Sequence, residues 1–367
     1  MKFHNVFKRF KPHFTYNGNI IFSRNNQIIE LKKDLNTKLI TEIKINLFER
    51  LLFKSKYLSR LLRLGIRSSI NYKNIFFFSF KKRIYSYDIQ KNLLKIEHKF
   101  RMGRGPLNYT IIENIKNFEN SIVFGEYFGN NSRKHIHIYK RNKNFKWEII
   151  YTFKEGTINH IHSIIPDKFR NCLWIFAGDF DHSSSIWKVE NNFKNIERIL
   201  YGKQIYRACV GYPTEEGLIY ATDTQFEKNS IRILRINKGD LLSEELFKIN
   251  GTCVYGTNLK DYLVFSTCTE PTHHPENKLL LFFDNKPGPG ILKNKSDIVL
   301  FGKKNSSFKV IRSFEKDILP YGLFGIGSII FPSGLENHNT LYAFLSGSKI
   351  YDQDTIKIDL EKLKDDI

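Results

Sequence analysis

Short apolar runs alternate with polar turns along almost the whole chain, and four of the runs end alike, in a small residue followed by an acid. They read SIVFGE up to Glu126, CLWIFAGD up to Asp179, LIYATD up to Asp223 and YLVFSTCTE up to Glu270. After each comes a polar loop and then another short apolar run: IHIYK, SIWKV, SIRIL and KLLLFF. The acids are spaced by 53, 44 and 47 residues. A period near fifty built from short strands predicts an all-β fold, a β-propeller. It sets four carboxylates at the same corner of four successive blades.

The clearest blade covers residues 158–200, with strands INHIHSII, CLWIFAGD, SIWKV and NIERIL. Its turns, IPDKFRN and FDHSS, carry the Pro, Asp, Asn and Ser that turns prefer. Similar blades are predicted over 106–153, 206–249 and 252–314, the last interrupted by the Pro- and Gly-rich insertion DNKPGPGILKNKSD. Two weaker blades precede them, ending near Phe100, and the final segment supplies only three strands: GIGSIIFP, TLYAFLS and TIKIDL. An open ring would leave bare strand edges. Pairing the C-terminal strands with an N-terminal strand closes it as one domain over 1–367, with six or seven blades and seven the better count. Residues 47–65, LFERLLFKSKYLSRLLRLG, break the strand pattern. Leu51, Leu52, Leu58, Leu61 and Leu62 fit one helical face and Arg50, Lys54, Lys56, Arg60 and Arg63 the other. The plain expectation is a helix packed by its leucines with a solvated basic face. The sharper one is docking on an anionic membrane surface.

Composition narrows the class. Hydrophobic residues make up 41% and aromatic residues 14% of 367, enough for large cores. Fifty-eight basic against 37 acidic residues give a net charge of +21. That attracts polyanions, although the Asn-, Ile- and Phe-rich composition also fits a coding bias that adds lysine freely. Cys172, Cys209, Cys253 and Cys268 form no CxxC pair and lie in or beside apolar strands, so reduced buried thiols are expected. The N-terminus has no continuous apolar core and no apolar run reaches spanning length, so a cytoplasmic location is expected.

Strands within a blade run antiparallel, so the end of a second strand lies beside the start of the first. That places Arg104, His160, His162, Gln204 and Arg207 near Glu126, Asp179, Asp223 and Glu270. Arginine takes a carboxylate by two parallel hydrogen bonds, and His can move a proton. The set therefore suits an acidic sugar. Arg207, with Arg104, Gln204 and Asp223, would bind the substrate, His162 with His160 would act as base or acid, and Glu126, Asp179 and Glu270 would bind hydroxyls or share proton transfer. The plainer reading is that acids at strand ends accept backbone N–H groups in turns. His-x-His occurs at His135/His137, read as a sheet face, and at His160/His162. The second pair could join Asp179 or Gln204 around a metal, but the spacing alone assigns no metal, and no cofactor is assigned. His273 and His274 fall in a polar loop. P-loop and GxSxG patterns are absent from the sequence.

The stretch HIHIYKRNKNFKWEIIYTFKEGTINHIHSIIPDKFRNCLWIFAGD resembles the sialidase-like BNR-repeat propellers of bacterial polysaccharide-locus proteins. Tyr139, Lys140 and Trp147 match the Asp-box turn, whose Ser, Asp and Gly positions read Arg141, Lys143 and Phe145 here. GEY at Glu126, QIYRA at Gln204, STCTEP at Glu270 and GSIIFPSG at Gly327 extend the likeness over roughly 100–350, while Asn159 replaces an Arg that usually precedes HIH. The resemblance implies a carbohydrate-active propeller, hydrolase or lyase, for an acidic cell-surface polysaccharide or oligosaccharide. The sialidase arginine triad and Tyr–Glu pair do not align. A non-catalytic interaction propeller that docks a glycan or protein is the second reading. A polyanion binder is the third, with a membrane surface rather than nucleic acid as the expected partner.

Overall fold

The computed structural model describes residues 5–237, 240–272 and 278–362. The chain folds as a seven-bladed β-propeller of four-stranded antiparallel sheets. It divides into two compact units, residues 1–66 with 225–229 and 247–367, and residues 67–224 with 230–246.

The first unit holds three sheets. One runs through Lys11–Tyr16, Asn19–Arg24, Gln27–Leu31 and Thr37–Glu42. The next is Thr252–Asn258, Tyr262–Cys268, Lys295–Gly302 and Phe308–Glu315. The last takes Ser328–Ile330, Thr340–Ser346 and Asp354–Asp359 and completes itself with the N-terminal strand Val6–Lys8, Val6 opposite Ile356 and Lys8 opposite Asp354. The closure expected from the sequence is thus the one observed. Phe22, Val264, Ile298, Ile329 and Ile356 share a buried cluster across these sheets.

Two sequence expectations fail in this unit. KLLLFF is not the third strand of its blade but a short helix, Lys278–Phe283. The strand that pairs there is KSDIVLFG, with Ser266 opposite Ile298. It is the better partner because its apolar run is buried, whereas Leu280, Phe282 and Phe283 are exposed.

The predicted helix is instead two, Leu47–Lys54 and Lys56–Leu61, broken at Ser55, which caps the end of one and the start of the other. Asn46 and Glu49 form a capping box at the first. The burial of this hairpin is mixed, with Phe53 buried and Arg50, Lys54 and Arg63 exposed. Leu47, Phe48, Leu51, Tyr57, Leu58 and Leu62 are exposed, whereas Arg60 is buried. Arg60 holds the hairpin down by ion pairs to Asp317 and to Asp352 at 3.2 Å, and its Nε and Nη2 donate to the Phe324 carbonyl at 3.1 and 3.0 Å. The expected leucine face packs only in part, with Leu52 and Leu61 half-buried while Leu51, Leu58 and Leu62 stay exposed.

The second unit holds four sheets. Their second strands, Ile75–Phe80, Ser121–Gly125, Cys172–Ala177 and Leu218–Thr222, are buried almost throughout. Each is covered on both faces, so it reads as an unbroken apolar run rather than an alternating one. Outer strands such as Trp147–Phe153 are partly exposed and alternate more. Asn142 organises the turn at 142–146. Its Oδ1 accepts the N–H groups of Asn144 and Lys146, each at 3.0 Å, and Phe145 takes φ 63°.

Glu97 ties this turn to the neighbouring sheet. It accepts two hydrogen bonds from Arg141, both at 2.7 Å, one from Ser86 at 2.8 Å and one from Trp147 Nε1 at 3.1 Å. Burial pushes its pKa up, but the Arg141 bonds and charge, with Ser86 and Lys95, outweigh that and hold it below the usual carboxylate value. A carboxylate so depressed contributes stability above the unfolded value, about 4.3, and loses it as pH falls through the folded value. Glu97→Gln is therefore expected to flatten the acid limb of the stability curve, as read by urea midpoints from pH 6 to pH 3. An unchanged limb would show that Glu97 does not report folding.

Candidate functional site

The site is built where second strands end and first strands begin in two adjacent sheets of the second unit. Gly178 N–H donates to the His160 carbonyl at 3.0 Å, and Asp223 N–H to the Arg207 carbonyl at 2.9 Å. Those bonds lock His160 beside Asp179 and Arg207 beside Asp223, as antiparallel pairing predicts. Gly178 has φ 79°, and a Cβ there would fall 1.8 Å from the Ser183 carbonyl oxygen, so only glycine lets the chain turn Asp179 inward. Asn159 completes the corner. Its Oδ1 accepts from Asp179 N–H at 3.3 Å and from the Ser183 hydroxyl, and its amide donates to Asn130 O at 3.1 Å. Asn159 is thus a turn organiser.

The first strands Ile161–Asp167 and Ala208–Pro213 run side by side. His162 Nδ1 bonds the Ala208 carbonyl at 2.9 Å and His160 Nδ1 the Phe128 carbonyl at 3.0 Å. The two Nε2 atoms stand 2.9 Å apart, and Asp179 Oδ1 lies 3.2 Å from His162 Nε2 and 3.3 Å from His160 Nε2. Arg207 reaches the same Asp179 oxygen at 3.4 Å, and its Nε is 3.8 Å from Asp223 Oδ2. Cys209 Sγ–H donates to Asp223 Oδ2 at 3.1 Å. The two histidines, Arg207 and Asp223 are buried, and Asp179 keeps 19% of its side chain exposed. Burial raises the Asp179 pKa, but the neighbouring His160, Arg207 and His162 side chains outweigh that and hold it well below the usual range. Gln204 Nε2 donates to the Asp179 carbonyl at 3.1 Å.

The remaining predicted residues stand apart. Glu126 accepts a two-point bond from Arg101, at 3.1 and 2.8 Å, and the His137 N–H at 3.0 Å. Arg104 lies half-buried in the bend before the third sheet. Glu270 belongs to the first unit, where its carbonyl accepts from Gly288 N–H at 2.8 Å. His135 and His137 stack at 5.0 Å near that Arg101–Glu126 pair. His273 and His274 lie outside the described residues.

Tyr127, Arg101 and Cys209 were not singled out as site residues from the sequence. The Tyr127 ring centroid is 4.3 Å from that of His160, and the Arg67 guanidinium lies 5.1 Å from the Tyr127 ring centroid. The only signal for Tyr127 was its place directly after Glu126. Glu126 and Tyr127 also wall a small cleft of about 10 Å³, whose other sides include Phe100, Arg101, Phe124 and Tyr139.

No family model matches the chain, and no curated protein matches it. Among solved structures, a chain of the mitotic checkpoint complex aligns with TM-score 0.53 and 8% identity, over 98% of this chain and 94% of that one. The CNH domain of AfRom2 aligns with TM-score 0.53 and 7% identity, over 97% and 94%. At such identities the likeness is one of fold.

Proposed function

We propose that this chain is a glycan-binding propeller that holds an acidic polysaccharide or oligosaccharide at the cleft beside Tyr127 in the second unit. One observation carries the reading: Arg101, 35% exposed, stands at the rim of a cleft beside half-buried Tyr127 and exposed Met102, with its Nε and Nη2 on Glu126 and its Nη1 in a long 3.4 Å contact with His135 Nε2. An aromatic ring packs against the apolar C–H face of a sugar, and a guanidinium nitrogen takes a carboxylate oxygen. Binding is favoured over glycoside hydrolysis because the two nearest carboxylates are already committed. Glu126 is engaged by Arg101 and a backbone N–H, and Asp179 by two histidines and Arg207. Glycosidases need one carboxyl group ready to donate a proton.

The test is calorimetric titration with an oligogalacturonate and with a neutral oligosaccharide of equal length. Arg101→Ala is expected to weaken acidic-sugar binding roughly ten- to a hundredfold, the value of a charged hydrogen bond. Equal binding of the neutral sugar would overturn the acidic preference. New reducing ends or unsaturated product would overturn the binding-only reading.

A second reading rests on a separate observation, the outward apolar face of the hairpin at 47–61 in the first unit. Residues 44–64 carry six basic side chains against one acid, Glu49. Exposed leucines ringed by lysine and arginine match an anionic bilayer surface. Among the described residues no helix is long and apolar enough to cross a membrane. The hairpin would therefore lie on the lipid surface.

A further inference from the structure

We propose that His160, His162 and Asp179 bind a divalent first-row transition ion, zinc being the best match. The argument starts from the hydrogen-bond roles. Each histidine points Nδ1 at a backbone carbonyl, His160 at Phe128 and His162 at Ala208. A carbonyl only accepts, so each Nδ1 carries the hydrogen and each Nε2 presents a lone pair. Those two lone pairs face one another at 2.9 Å, with a carboxylate oxygen 3.2 and 3.3 Å from them. Three acceptors at such separations repel unless a cation sits among them.

Geometry favours a metal ion in that place. Zinc binds imidazole nitrogen and carboxylate oxygen at about 2.0–2.2 Å, which sets tetrahedral ligand-to-ligand edges of about 3.3–3.5 Å. The edges here are 2.9, 3.2 and 3.3 Å. The surroundings also fit. Metal-bound histidines hand their second N–H to a carbonyl or carboxylate, which fixes ring and tautomer, and ligating carboxylates take an outer hydrogen bond. Both histidines do the first, and Arg207 forms an ion pair with the carboxylate, its Nη2 3.4 Å from Asp179 Oδ1. Three protein ligands leave a coordination position open for an oxygen ligand. The donor atoms of His162, Cys209 and Asp223 also lie within 4.8 Å of one another, but Cys209 already donates to Asp223 there. The first trio is therefore the site.

This inference does not rest on the glycan reading, because the ion is measured alone. The full chain, stripped with chelator and dialysed, is titrated with Co²⁺ and then with Zn²⁺. About one ion per chain is expected, with the intense visible bands of low-coordinate cobalt, displaced by zinc. His160→Gln and His162→Gln should each weaken binding more than about a hundredfold, and Cys209→Ser should leave it within about threefold. If a histidine variant misfolds, Asp179→Asn supplies the same comparison, with far-UV circular dichroism confirming the fold. The wild-type chain failing to hold either ion, or an NMR spectrum showing one proton shared between the rings in the presence of excess zinc, would overturn the proposal. Loss of the ion in Cys209→Ser with retention in His160→Gln would overturn it equally.

Discussion

Replacing Arg60 by methionine is expected to lower the stability of the first unit by about 3–5 kcal/mol. The side chain is 2% exposed and faces Asp317, Asp352 and the Phe324 carbonyl. Lys316 joins the same group through Asp317, so two cations balance two acids. Burial raises the Asp317 pKa, but bonds from Lys316 and Arg60 hold it below its ordinary value. Removing Arg60 leaves two buried carboxylates facing a single lysine, and an unpaired buried charge is what makes such deletions costly. Methionine fills most of the volume, so the loss would report charge rather than a cavity. The shift of the first unfolding transition on chemical denaturation measures it. A loss under about 1 kcal/mol would mean that water reaches the cluster readily. Asp352→Asn should cost less, because its Oδ1 partner, the Gly347 N–H at 2.8 Å, keeps an acceptor.

The triple change Leu47→Ser, Phe48→Ser, Leu51→Ser is expected to reduce partitioning onto phosphatidylserine vesicles about a thousandfold. These side chains are 77%, 68% and 58% exposed, so they contribute little to folding. Burying each in lipid would return about 1.5 kcal/mol, and the three together, about 4.5 kcal/mol, give a factor on the order of a thousand. Co-sedimentation with vesicles of graded phosphatidylserine content measures it. Lys54→Glu with Lys56→Glu should weaken the same binding at low salt and much less at high salt, since each basic residue near the surface contributes about 1 kcal/mol. Equal sedimentation with neutral vesicles, or an unaffected triple variant, would remove the membrane reading.

These two cases mark where the sequence could be read and where it could not. The propeller was legible because the second strands are covered on both faces and so read as apolar runs at a fixed spacing. The turn at 166–172 was legible because Asp167 caps it, accepting the N–H groups of Phe169 and Arg170 at 3.0 and 3.1 Å. The His160–Asp179 and Arg207–Asp223 corners followed from antiparallel pairing alone. Glu270 carries the same strand-end pattern, but a repeat fixes a corner within a blade and not the company that corner keeps. The leucines at 51, 58 and 62 misled because periodicity reports one apolar face without saying what it faces. Arg60 misled for the opposite reason, since only Asp317 and Asp352, some 260 and 290 residues away, make it a buried residue. KLLLFF misled because a six-residue apolar run suits strand and helix alike.

The strand Val6–Lys8 has a consequence for biosynthesis. It leaves the ribosome well before its hydrogen-bonding partner, Asp354–Asp359, with Arg9 N–H bonding Asp354 345 residues later. At about 5–20 residues per second, translation leaves that edge waiting for tens of seconds while the sheets between are made. A nascent chain therefore carries an unsatisfied edge until Asp354–Asp359 emerges, and a product cut short before Asp354 cannot seal that sheet.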